Sequence, residues 1–308
     1  MNVPTFKYFD LPLKLNHVVV DFTSIIIVNY KTRELTVECV RSLEKYIPQN
    51  SYEVIIVDNA SNDGSLEHLI HQLPAIQIIE SKVNVGFGAA NNIGVNTSRG
   101  KYIFLLNPDT ILMGNVLSLF IRFYKKNDHL KIGALGSLLV SPDFEILHSF
   151  GSNFPFGMKR FLKNYLPKNE HRTLAKIEKD YSAEVDIVVG ANMFIEKKLF
   201  DEFNGFDTNI FLYEEELELQ YRMRKNGYVS IVLNEKMIIH LEGKSSANYF
   251  KRKCSFLSLC YVSKKHLPYY FYLMYRFTLV FYAVAFFKNP RTTWHEKLAY
   301  LKLTIFKK

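Results

Sequence analysis

Residues 22–109 alternate between short β-branched apolar runs and segments with helical periodicity, which constrains the fold more than any other feature. Apolar runs of this kind are typical of strands buried on both faces. The predicted strands are Phe22–Val28, Glu53–Val57, Ile76–Glu80 and Tyr102–Leu106. The predicted helices between them are Thr32–Tyr46, Leu66–Leu73 and Gly88–Thr97. Strands that alternate with helices pair in parallel through right-handed crossovers, so we predict an α/β fold with a mainly parallel central sheet flanked by helices.

After Asp109 the pattern is more mixed. Residues 152–182 are polar, basic and without clear periodicity, and they predict a long loop or a mobile cover. Gly227 is a stop signal for the helix that precedes it. The predicted elements here are the helices Val116–Tyr124 and Glu215–Asn226 and the strands Ile132–Val140, Val185–Val189, Val229–Leu233 and Met237–His240.

Three of the predicted strands lead into carboxylate or amide residues, namely Asn29, Asp58 and the turn Asn107–Asp109. Ligands of open parallel sheets bind beyond the carboxyl ends of the strands. Asp109 offers a hard oxygen ligand, and Mg²⁺ or Mn²⁺ on a diphosphate needs only one or two protein carboxylates. Asp58 suits a hydrogen bond from a base N–H or a ribose hydroxyl. Each of these residues also fits an ordinary turn or helix cap, so the motifs alone leave both interpretations open.

The segment Asn84–Gly94 is a glycine-containing loop that opens a helix. Gly86 and Gly88 allow a ligand to approach the backbone closely, and a helix N-terminus favours anions. The segment is neither a GxGxxG nor a Walker A motif, which argues against a dinucleotide-dependent dehydrogenase and a P-loop NTPase. A plain strand-to-helix turn is the alternative.

Four acids lie within five residues at the start of the helix that begins near Glu215. Their mutual repulsion should raise the pKa of at least one of them, which suits a general base. A solvated acidic first turn is the alternative, because carboxylates at a helix N-terminus are favoured by the dipole. His240 ends the last apolar strand, where it is either a metal ligand or a structural histidine.

The net charge of +9 is concentrated at the C-terminus. Residues 244–308 contain 13 basic side chains and one acidic one, against 26 and 29 in residues 1–243. No RNP, KH or zinc-knuckle signature accompanies the charge, so we expect no nucleic acid partner. Three cysteines without a CxxC pair exclude a disulfide framework and fit a reducing cytoplasm. The first residues do not resemble a secretory signal.

The segment Pro268–Phe287 is apolar, strongly aromatic and interrupted only by Arg276. Its aromatic residues and the flanking lysines favour a helix that lies on an anionic membrane surface. A helix packed on the protein's own core and a membrane span are the alternatives, and Arg276 disfavours the span.

Taken together and in this order, the motifs resemble the family 2 glycosyltransferases with a GT-A fold, and most closely the bacterial branch of rhamnosyl- and hexosyltransferases. The resemblance covers roughly residues 23–246. It is carried by Ile26–Tyr30, Val57–Gly64, Asn84–Gly94, Leu106–Asp109, Gly190–Met193, Phe211–Arg222 and His240.

The resemblance implies a nucleotide-sugar site, and it assigns roles within that site residue by residue. Asp109 and His240 would bind a divalent metal, Mn²⁺ or Mg²⁺. The sugar and acceptor would lie beside Gly190, Ala191 and Asn192. The residues of the nucleotide-sugar site would be Val28, Asn29, Tyr30, Asp58, Asn59, Asn84, Gly86, Asn92, Asn107 and Asp109.

The resemblance also implies a general base at the start of the acidic helix. The family usually has a Glu-Asp pair there, and this chain has Glu215-Glu216. We take Glu216, which stands where the family has the aspartate, as the base. Because glutamate is one methylene longer than aspartate, Glu215 remains the competing assignment. The implied reaction is an inverting, metal-dependent transfer of a hexose or deoxyhexose from a UDP- or dTDP-linked donor to a saccharide or polyprenyl-diphosphate-linked acceptor in surface polysaccharide synthesis.

We therefore expect an N-terminal extension (1–22), a GT-A catalytic domain (23–246) and a helical, membrane-associating extension (247–308). The protein would be cytoplasmic and peripherally bound to the inner face of the cell membrane. Deletion of 247–308 would leave residual activity if the protein is an enzyme. One alternative is a non-catalytic relative that binds a nucleotide sugar in a membrane-bound polysaccharide assembly complex, and another is a basic membrane or RNA adaptor.

Overall fold

The computed structural model describes residues 21–151, 169–241, 249–270 and 272–273. The four predicted N-terminal strands are present as β1 (Thr23–Asn29), β2 (Tyr52–Asp58), β3 (Gln77–Glu80) and β4 (Tyr102–Leu106). The helices between them are α1 (Arg33–Tyr46), α2 (Ser65–Gln72) and α3 (Phe87–Thr97), and a 3-10 turn covers Gln49–Ser51. The four strands pair in parallel in the order β3-β2-β1-β4, as the alternating pattern predicts.

The parallel strands are held between two layers because their side chains are apolar on both faces. Every side chain of β1 and β4 is buried. One face packs on the stripe of α1 that contains Val37, Val40 and Leu43, and the other packs under α3. Fully burying one such aliphatic side chain contributes about 1.5–3 kcal/mol, so these strands dominate the core.

The second half of the sheet is mixed rather than parallel. Strand β10 (Asn192–Glu196) lies antiparallel between β4 and β6 (Ile132–Val140). Strand β11 (Val229–His240) pairs in parallel with β6 and antiparallel with β5 (Thr110–Leu112). The order along the sheet is β3-β2-β1-β4-β10-β6-β11-β5, with β8 (Ser182–Val185) paired to β11. The predicted central sheet flanked by helices is confirmed, and it is all parallel only in its N-terminal half.

Several local predictions in this half are wrong. Residues 152–182 contain the helix α5 (Asn169–Asp180), whose buried Ile177 packs in the core although the segment is polar. The predicted strand Val185–Val189 is broken at Asp186 into β8 and β9 (Ile187–Val188), and β9 pairs with β7 (Phe150–Gly151). The two predicted strands at 229–240 form one strand, β11, with a register shift between Leu233 and Ile238. The pattern also missed β5, β10 and α6 (Lys197–Glu202), and it ended α4 (Val116–Lys126) two residues early.

The last two helices of the described residues pack on one another. Helix α7 (Glu215–Lys225) begins with the acidic run, and α8 (Tyr249–His266) contacts its first turn through Leu217 and Glu218. They share a small apolar cluster formed by Ile210, Leu217, Phe256, Leu259 and Val262. Within the described residues, no helix is both long and apolar enough to cross a membrane. Residues 1–20, the predicted domain boundary at 246 and most of the predicted membrane segment 268–287 lie outside the described residues.

Candidate active site

Asn29 and Asp58 form a hydrogen-bonded network at the ends of β1 and β2, where they are direct partners in the sheet register. The Asn29 amide donates to Asp58 Oδ1 at 2.6 Å and to Ser61 Oγ at 3.1 Å. The Asn29 side-chain oxygen accepts from the hydroxyls of Thr32 and Thr36, both at 3.0 Å. Ser61 donates to Asp58 Oδ1 at 2.6 Å through its hydroxyl and to Oδ2 at 3.1 Å through its backbone N–H. We call Asn29, Asp58 and Ser61 the strand-end network, and its hydrogen bonds fix the Asp58 carboxylate.

Val28 and Tyr30 lie on either side of Asn29 and differ in exposure. Val28 is buried and packs against Val57 and Ala90. The Tyr30 side chain is 44% exposed, and the Lys31 ammonium lies 5.4 Å from its ring centroid. Both residues were predicted to belong to the nucleotide-sugar site, and of the two only Tyr30 offers a large solvent-facing surface.

Asn59 holds the glycine loop that precedes α3. Its side-chain amide donates to Asn84 Oδ1 at 3.1 Å and to the Gly86 carbonyl at 3.3 Å, and its oxygen accepts from Val85 N–H at 3.0 Å. The N–H of Gly86 donates to Asn84 Oδ1, and the N–H of Phe87 donates to the carbonyl of Phe211. The backbone N–H groups of Gly86 and Phe87 are therefore both hydrogen-bonded within the protein. The loop gives the site its shape but does not offer these two N–H groups to an anion.

The glycine loop also touches the segment that leads into α7. Gly86 has φ +89° and ψ 170°, and a Cβ there would lie 2.0 Å from the Phe211 carbonyl oxygen. A few residues later, the side-chain nitrogen of Asn92 donates to the Phe206 carbonyl at 2.8 Å, and the side-chain oxygen accepts from the Phe206 N–H at 3.0 Å. Asn92 was predicted in the nucleotide-sugar site, and its observed contacts connect α3 to the segment before α7.

Asp109 and His240 are adjacent, as the predicted metal pair requires. The Nε2 atom of His240 lies 3.2 Å from Asp109 Oδ1, and both side chains are partly buried. The pairing of β5 with β11 places His240 opposite Thr110, and the N–H of Leu241 donates to the Asp109 carbonyl. Among the described residues, no group of three or more His, Cys, Asp and Glu side chains is placed to hold a metal. A carboxylate and an imidazole nonetheless suit a divalent cation whose remaining ligands come from a diphosphate and water.

Glu215 and Glu216 are carboxylates that burial keeps from full solvation. Glu215 is 2% exposed, and its Oε2 atom makes no hydrogen bond within the described part of the chain. Burial and the neighbouring charges of Glu216 and Glu214 raise its pKa well above the usual range. Burial and the charge of Glu214 raise the pKa of Glu216 to about 7, against a smaller opposing effect of a backbone hydrogen bond at Gly190.

The turn before these carboxylates has an unusual backbone. Tyr213 and Glu214 have φ of +65° and +73°, which places two consecutive non-glycine residues in the left-handed region. Each such residue costs about 1–3 kcal/mol and persists only where the surroundings enforce it. We call residues 213–216 the acid turn.

The segment Gly190–Asn192 connects the acid turn to the Asp109 turn. A Cβ on Gly190 would lie 4.0 Å from the Glu216 carboxyl carbon, and the Ala191 carbonyl accepts from Asn107 N–H at 3.1 Å. The Asn192 side chain instead binds the Ser137 backbone N–H and carbonyl, at 3.0 and 2.9 Å. Gly190 and Ala191 thus border the site, while Asn192 fixes β10 to β6.

Sequence reasoning missed two polar residues that hold this region together. The Gln220 side chain, which is 1% exposed, binds both the N–H and the carbonyl of Val188, two residues before Gly190. Glu218 is fully buried between Arg222 of α7 and Lys265 and His266 of α8. Burial alone raises the pKa of Glu218, but hydrogen bonds from His266, Arg222 and Lys265 lower it to about 2. The spacing of Glu218 and Arg222 at i and i+4 was the available signal for one of these contacts.

Comparison with known proteins gives a consistent result. The family model described as "Glycosyl transferase family 2" matches residues 24–203. The N-acetylglucosaminyl-diphospho-decaprenol L-rhamnosyltransferase of Mycobacterium tuberculosis is 23% identical over 209 residues, which cover 63% of this chain and 67% of the relative. The rhamnosyltransferase WbbL of Escherichia coli K12 is 26% identical over 211 residues, which cover 65% of this chain and 77% of the relative.

A third relative and a solved structure extend this result. The low-salt glycan biosynthesis hexosyltransferase Agl10 of Haloferax volcanii is 25% identical over 231 residues, which cover 71% of this chain and 67% of the relative. The crystal structure of Staphylococcus aureus TarS 1–349 superposes with a TM-score of 0.53 at 13% identity, covering 92% of this chain and 72% of that chain. At this identity the likeness shows a shared fold, and the predicted GT-A fold is confirmed.

Proposed function

This chain belongs to glycosyl transferase family 2 and is a glycosyltransferase, and on that premise we propose an inverting, metal-dependent transfer of a hexose or deoxyhexose. The donor is a UDP- or dTDP-linked sugar, and the acceptor is a saccharide or a polyprenyl-diphosphate-linked saccharide. The observation that carries the proposal is the link between the two reactive groups. Glu216 lies against Gly190, and the next residue, Ala191, is hydrogen-bonded to the turn that carries Asp109.

On the donor side, the chain supplies fixed polar groups at the strand ends. The Asp58 carboxylate is held by Asn29 and Ser61 and accepts a hydrogen bond from the base, and Tyr30 provides an exposed ring beside it. Asp109 and His240 would hold Mn²⁺ or Mg²⁺, and their mixed oxygen and nitrogen donors favour Mn²⁺. When bound, the metal neutralises charge on the leaving diphosphate.

On the acceptor side, Glu216 takes the proton of the attacking hydroxyl. The acceptor oxygen forms a bond to the anomeric carbon while the bond from that carbon to the diphosphate oxygen breaks on the opposite face, so the configuration inverts. A base whose pKa is about 7 is well matched to this step, because a useful fraction is ionised near neutral pH and it still accepts a proton. Glu215 is the competing base, but its deeper burial leaves it less access to an acceptor hydroxyl.

The acceptor class and the location are further parts of this proposal. The mycobacterial relative is named for a decaprenol-diphosphate-linked sugar, N-acetylglucosaminyl-diphospho-decaprenol. The C-terminal basic excess of the present chain suits an anionic membrane surface, which is where such acceptors lie. We therefore place the protein at the cytoplasmic face of the membrane, as a peripheral enzyme of surface polysaccharide synthesis.

Thermal shifts with UDP, dTDP and GDP, each with and without Mn²⁺, test the donor site. A ligand present at 100 times its Kd raises the free energy of unfolding by about 2.7 kcal/mol. We expect a Mn²⁺-dependent shift with UDP or dTDP and its loss in Asp109→Asn, because that variant removes the metal carboxylate. If no nucleotide shifts the wild-type protein, the donor site is wrong.

The assignment of Glu216 as the general base is tested by turnover. The substrate is the nucleotide sugar whose nucleotide binds in the thermal-shift experiment. Glu216→Gln should lower turnover by about 10²–10⁴-fold, the usual contribution of a general base, with nucleotide binding unchanged. If Glu216→Gln keeps wild-type turnover and Glu215→Gln loses it, Glu215 is the base. Nucleotide binding without any transfer by the wild-type protein would favour the non-catalytic relative instead.

A further inference from the structure

Helix α8 contacts the acid turn through evenly spaced polar side chains. The Ser255 hydroxyl donates to Glu214 Oε1 at 2.6 Å, and the Ser258 hydroxyl donates to the Leu212 carbonyl at 3.1 Å. One turn further along α8, the Tyr261 hydroxyl donates to Asp207 Oδ2 at 2.8 Å. The spacing of three residues places these groups along one side of the helix, facing the segment that leads into α7.

Apolar and ionic contacts reinforce the same interface. Phe256, Leu259 and Val262 of α8 are buried with Ile210 and Leu217, which flank the acid turn in sequence. At the end of α8, Lys265 binds both Asp207 at 2.6 Å and the fully buried Glu218 at 2.8 Å. His266 binds Glu218 as well, at 2.8 Å. Helix α8 is thus fixed to α7 on both sides of the acid turn.

The backbone of the acid turn needs such support. Two consecutive left-handed residues are intrinsically unfavourable, and the last two residues of the acid turn are carboxylates with raised pKa values. Across the turn from α8, the Phe211 carbonyl accepts from Phe87 N–H. The two α8 hydroxyls therefore bind the residues on which the position of the carboxylates depends.

We propose that α8 is a positioning element of the active site: the hydroxyls of Ser255 and Ser258 hold the left-handed turn at Tyr213–Glu214 and so keep the Glu216 carboxylate beside Gly190. This inference rests on the proposed role of Glu216 as the base. It reverses the expectation that deletion of 247–308 leaves residual activity, because that deletion removes the whole of α8.

The groups around Glu216 determine the direction in which its pKa should shift when the turn loosens. The titratable ones are Glu214 and Glu215 on its own turn and Tyr213 and Cys254 beside Glu215, and the Gly190 N–H faces it from the neighbouring segment. If the turn loosens, Glu216 gains water and moves away from Glu214. Both changes favour the ionised carboxylate and outweigh the smaller opposing effect of losing the Gly190 N–H, so the pKa of Glu216 falls.

The test uses the full chain and two readouts. The ¹³C carboxyl titration of Glu216, assigned with Glu216→Gln, follows the carboxylate without any donor or acceptor, and the Gly190 amide resonance follows the same event from the other side. We expect the midpoint to fall by about one pH unit in the Ser255→Ala/Ser258→Ala double variant. Ser255→Thr in the Ser258→Ala background should bring the midpoint part of the way back to the wild-type value, because threonine keeps a hydroxyl.

Ser263→Ala is the matched control. Ser263 is fully buried on the same helix, and its hydroxyl makes no hydrogen bond to any described residue. The substitution therefore removes one oxygen from α8 without touching the turn. The proposal is overturned if the double variant and Ser263→Ala titrate at the same midpoint while both bind UDP or dTDP as the wild type does.

Kinetics separate this inference from the proposed function. With a donor that the wild type turns over, the double variant should lose about 10–10²-fold in kcat with KM for the donor unchanged, because a misplacement of about 1 Å can cost 10²-fold. If Glu216→Gln keeps full turnover, the base assignment has failed. If Glu216→Gln is inactive and the double variant keeps kcat, only the role of α8 has failed.

Discussion

The strand-end network and the acid turn are both polar and largely buried, but they are built in opposite ways. In the strand-end network, Asn29 is fully buried and both its amide nitrogen and its oxygen are hydrogen-bonded. In the acid turn, Glu215 has a buried oxygen without a hydrogen bond to the described residues, and two preceding residues are left-handed. The comparison indicates that the strand-end network is held in place at little energetic cost, whereas the acid turn retains an unfavourable arrangement.

This difference fits the two tasks proposed for these regions. A base-recognition carboxylate works best when it is fixed in place, which the hydrogen bonds from Asn29 and Ser61 to Asp58 achieve. A general base must release and accept a proton near neutral pH, which burial next to like charges achieves. Glu218 lies only two residues from Glu216 on α7, yet cationic partners hold its pKa at the opposite extreme. The partners of each carboxylate, more than its place in the helix, therefore decide its protonation.

Gly86→Ala should produce the largest effect, because Gly86 lies between Asn59, the neighbour of Asp58, and Phe211, two residues before the acid turn. The new Cβ would overlap the Phe211 carbonyl, and its backbone angles are open almost only to glycine. We expect a loss of about 3 kcal/mol in the free energy of unfolding. Gly227→Ala is the control, since Gly227 also has a positive φ (+82°) but a Cβ there has no neighbour within 4 Å, and it should lose about 1 kcal/mol. Urea unfolding measures both, and equal losses would show that the Gly86–Phe211 contact does not matter.

Asn29→Ala should cost less and should break only the strand-end network. It removes both donors to Asp58 and Ser61 from a buried site, so we expect a loss of about 2 kcal/mol. The midpoint of the Glu216 titration should not move, because the acid turn has separate contacts. Asn96→Ala is the control on an exposed helical position and should change stability by less than about 0.5 kcal/mol. A shift of the Glu216 midpoint in Asn29→Ala would mean that the two regions are coupled.

Glu215→Gln should have the smallest effect on the free energy of unfolding, and the size of that effect depends on pH. Because folding raises the pKa of Glu215, the native state is favoured below the unfolded pKa and loses that advantage as pH rises through the folded value. Glutamine cannot ionise, so the variant should gain about 1 kcal/mol over the wild type at pH 8 and little at pH 5. The exposed Glu38→Gln should show no such trend. Chemical unfolding at the two pH values measures the difference, and a variant that is less stable at pH 8 would contradict the assignment.

The sequence predicts the N-terminal half of the fold well and the C-terminal half poorly, for a physical reason. Strands β1, β2 and β4 are buried on both faces, so their apolar runs are unmistakable. Strand β10 is as long as β4, but its apolar run is only Met193–Ile195, and it follows a glycine that looks like a turn. Helix α5 has a polar sequence with few apolar positions, and its burial depends on β8, which local periodicity does not show.

The candidate site divides in a similar way. Residue types and positions at strand ends were enough to propose Asp109 and His240, which the structure brings within 3.2 Å of each other. Glu216 was assigned from the family resemblance. The internal roles of Asn92 and Asn192 depend on partners that are 114 and 55 residues away in sequence. Ser255 and Ser258 were invisible for the same reason, because a serine acquires a role only from the segment that it faces.

The position of β10 has a consequence for how the chain folds. In the finished sheet β10 lies between β4 and β6, although it follows both of them in sequence. The strands β1 to β4 pair through local crossovers. In contrast, β4 and β6 are joined only when β10, residues 192–196, pairs with both of them. Late, non-local pairing slows folding and leaves strand edges exposed in the meantime. The two halves of this sheet should therefore form at different times, and the unpaired edges of β4 and β6 are where an incompletely folded chain is most exposed to aggregation.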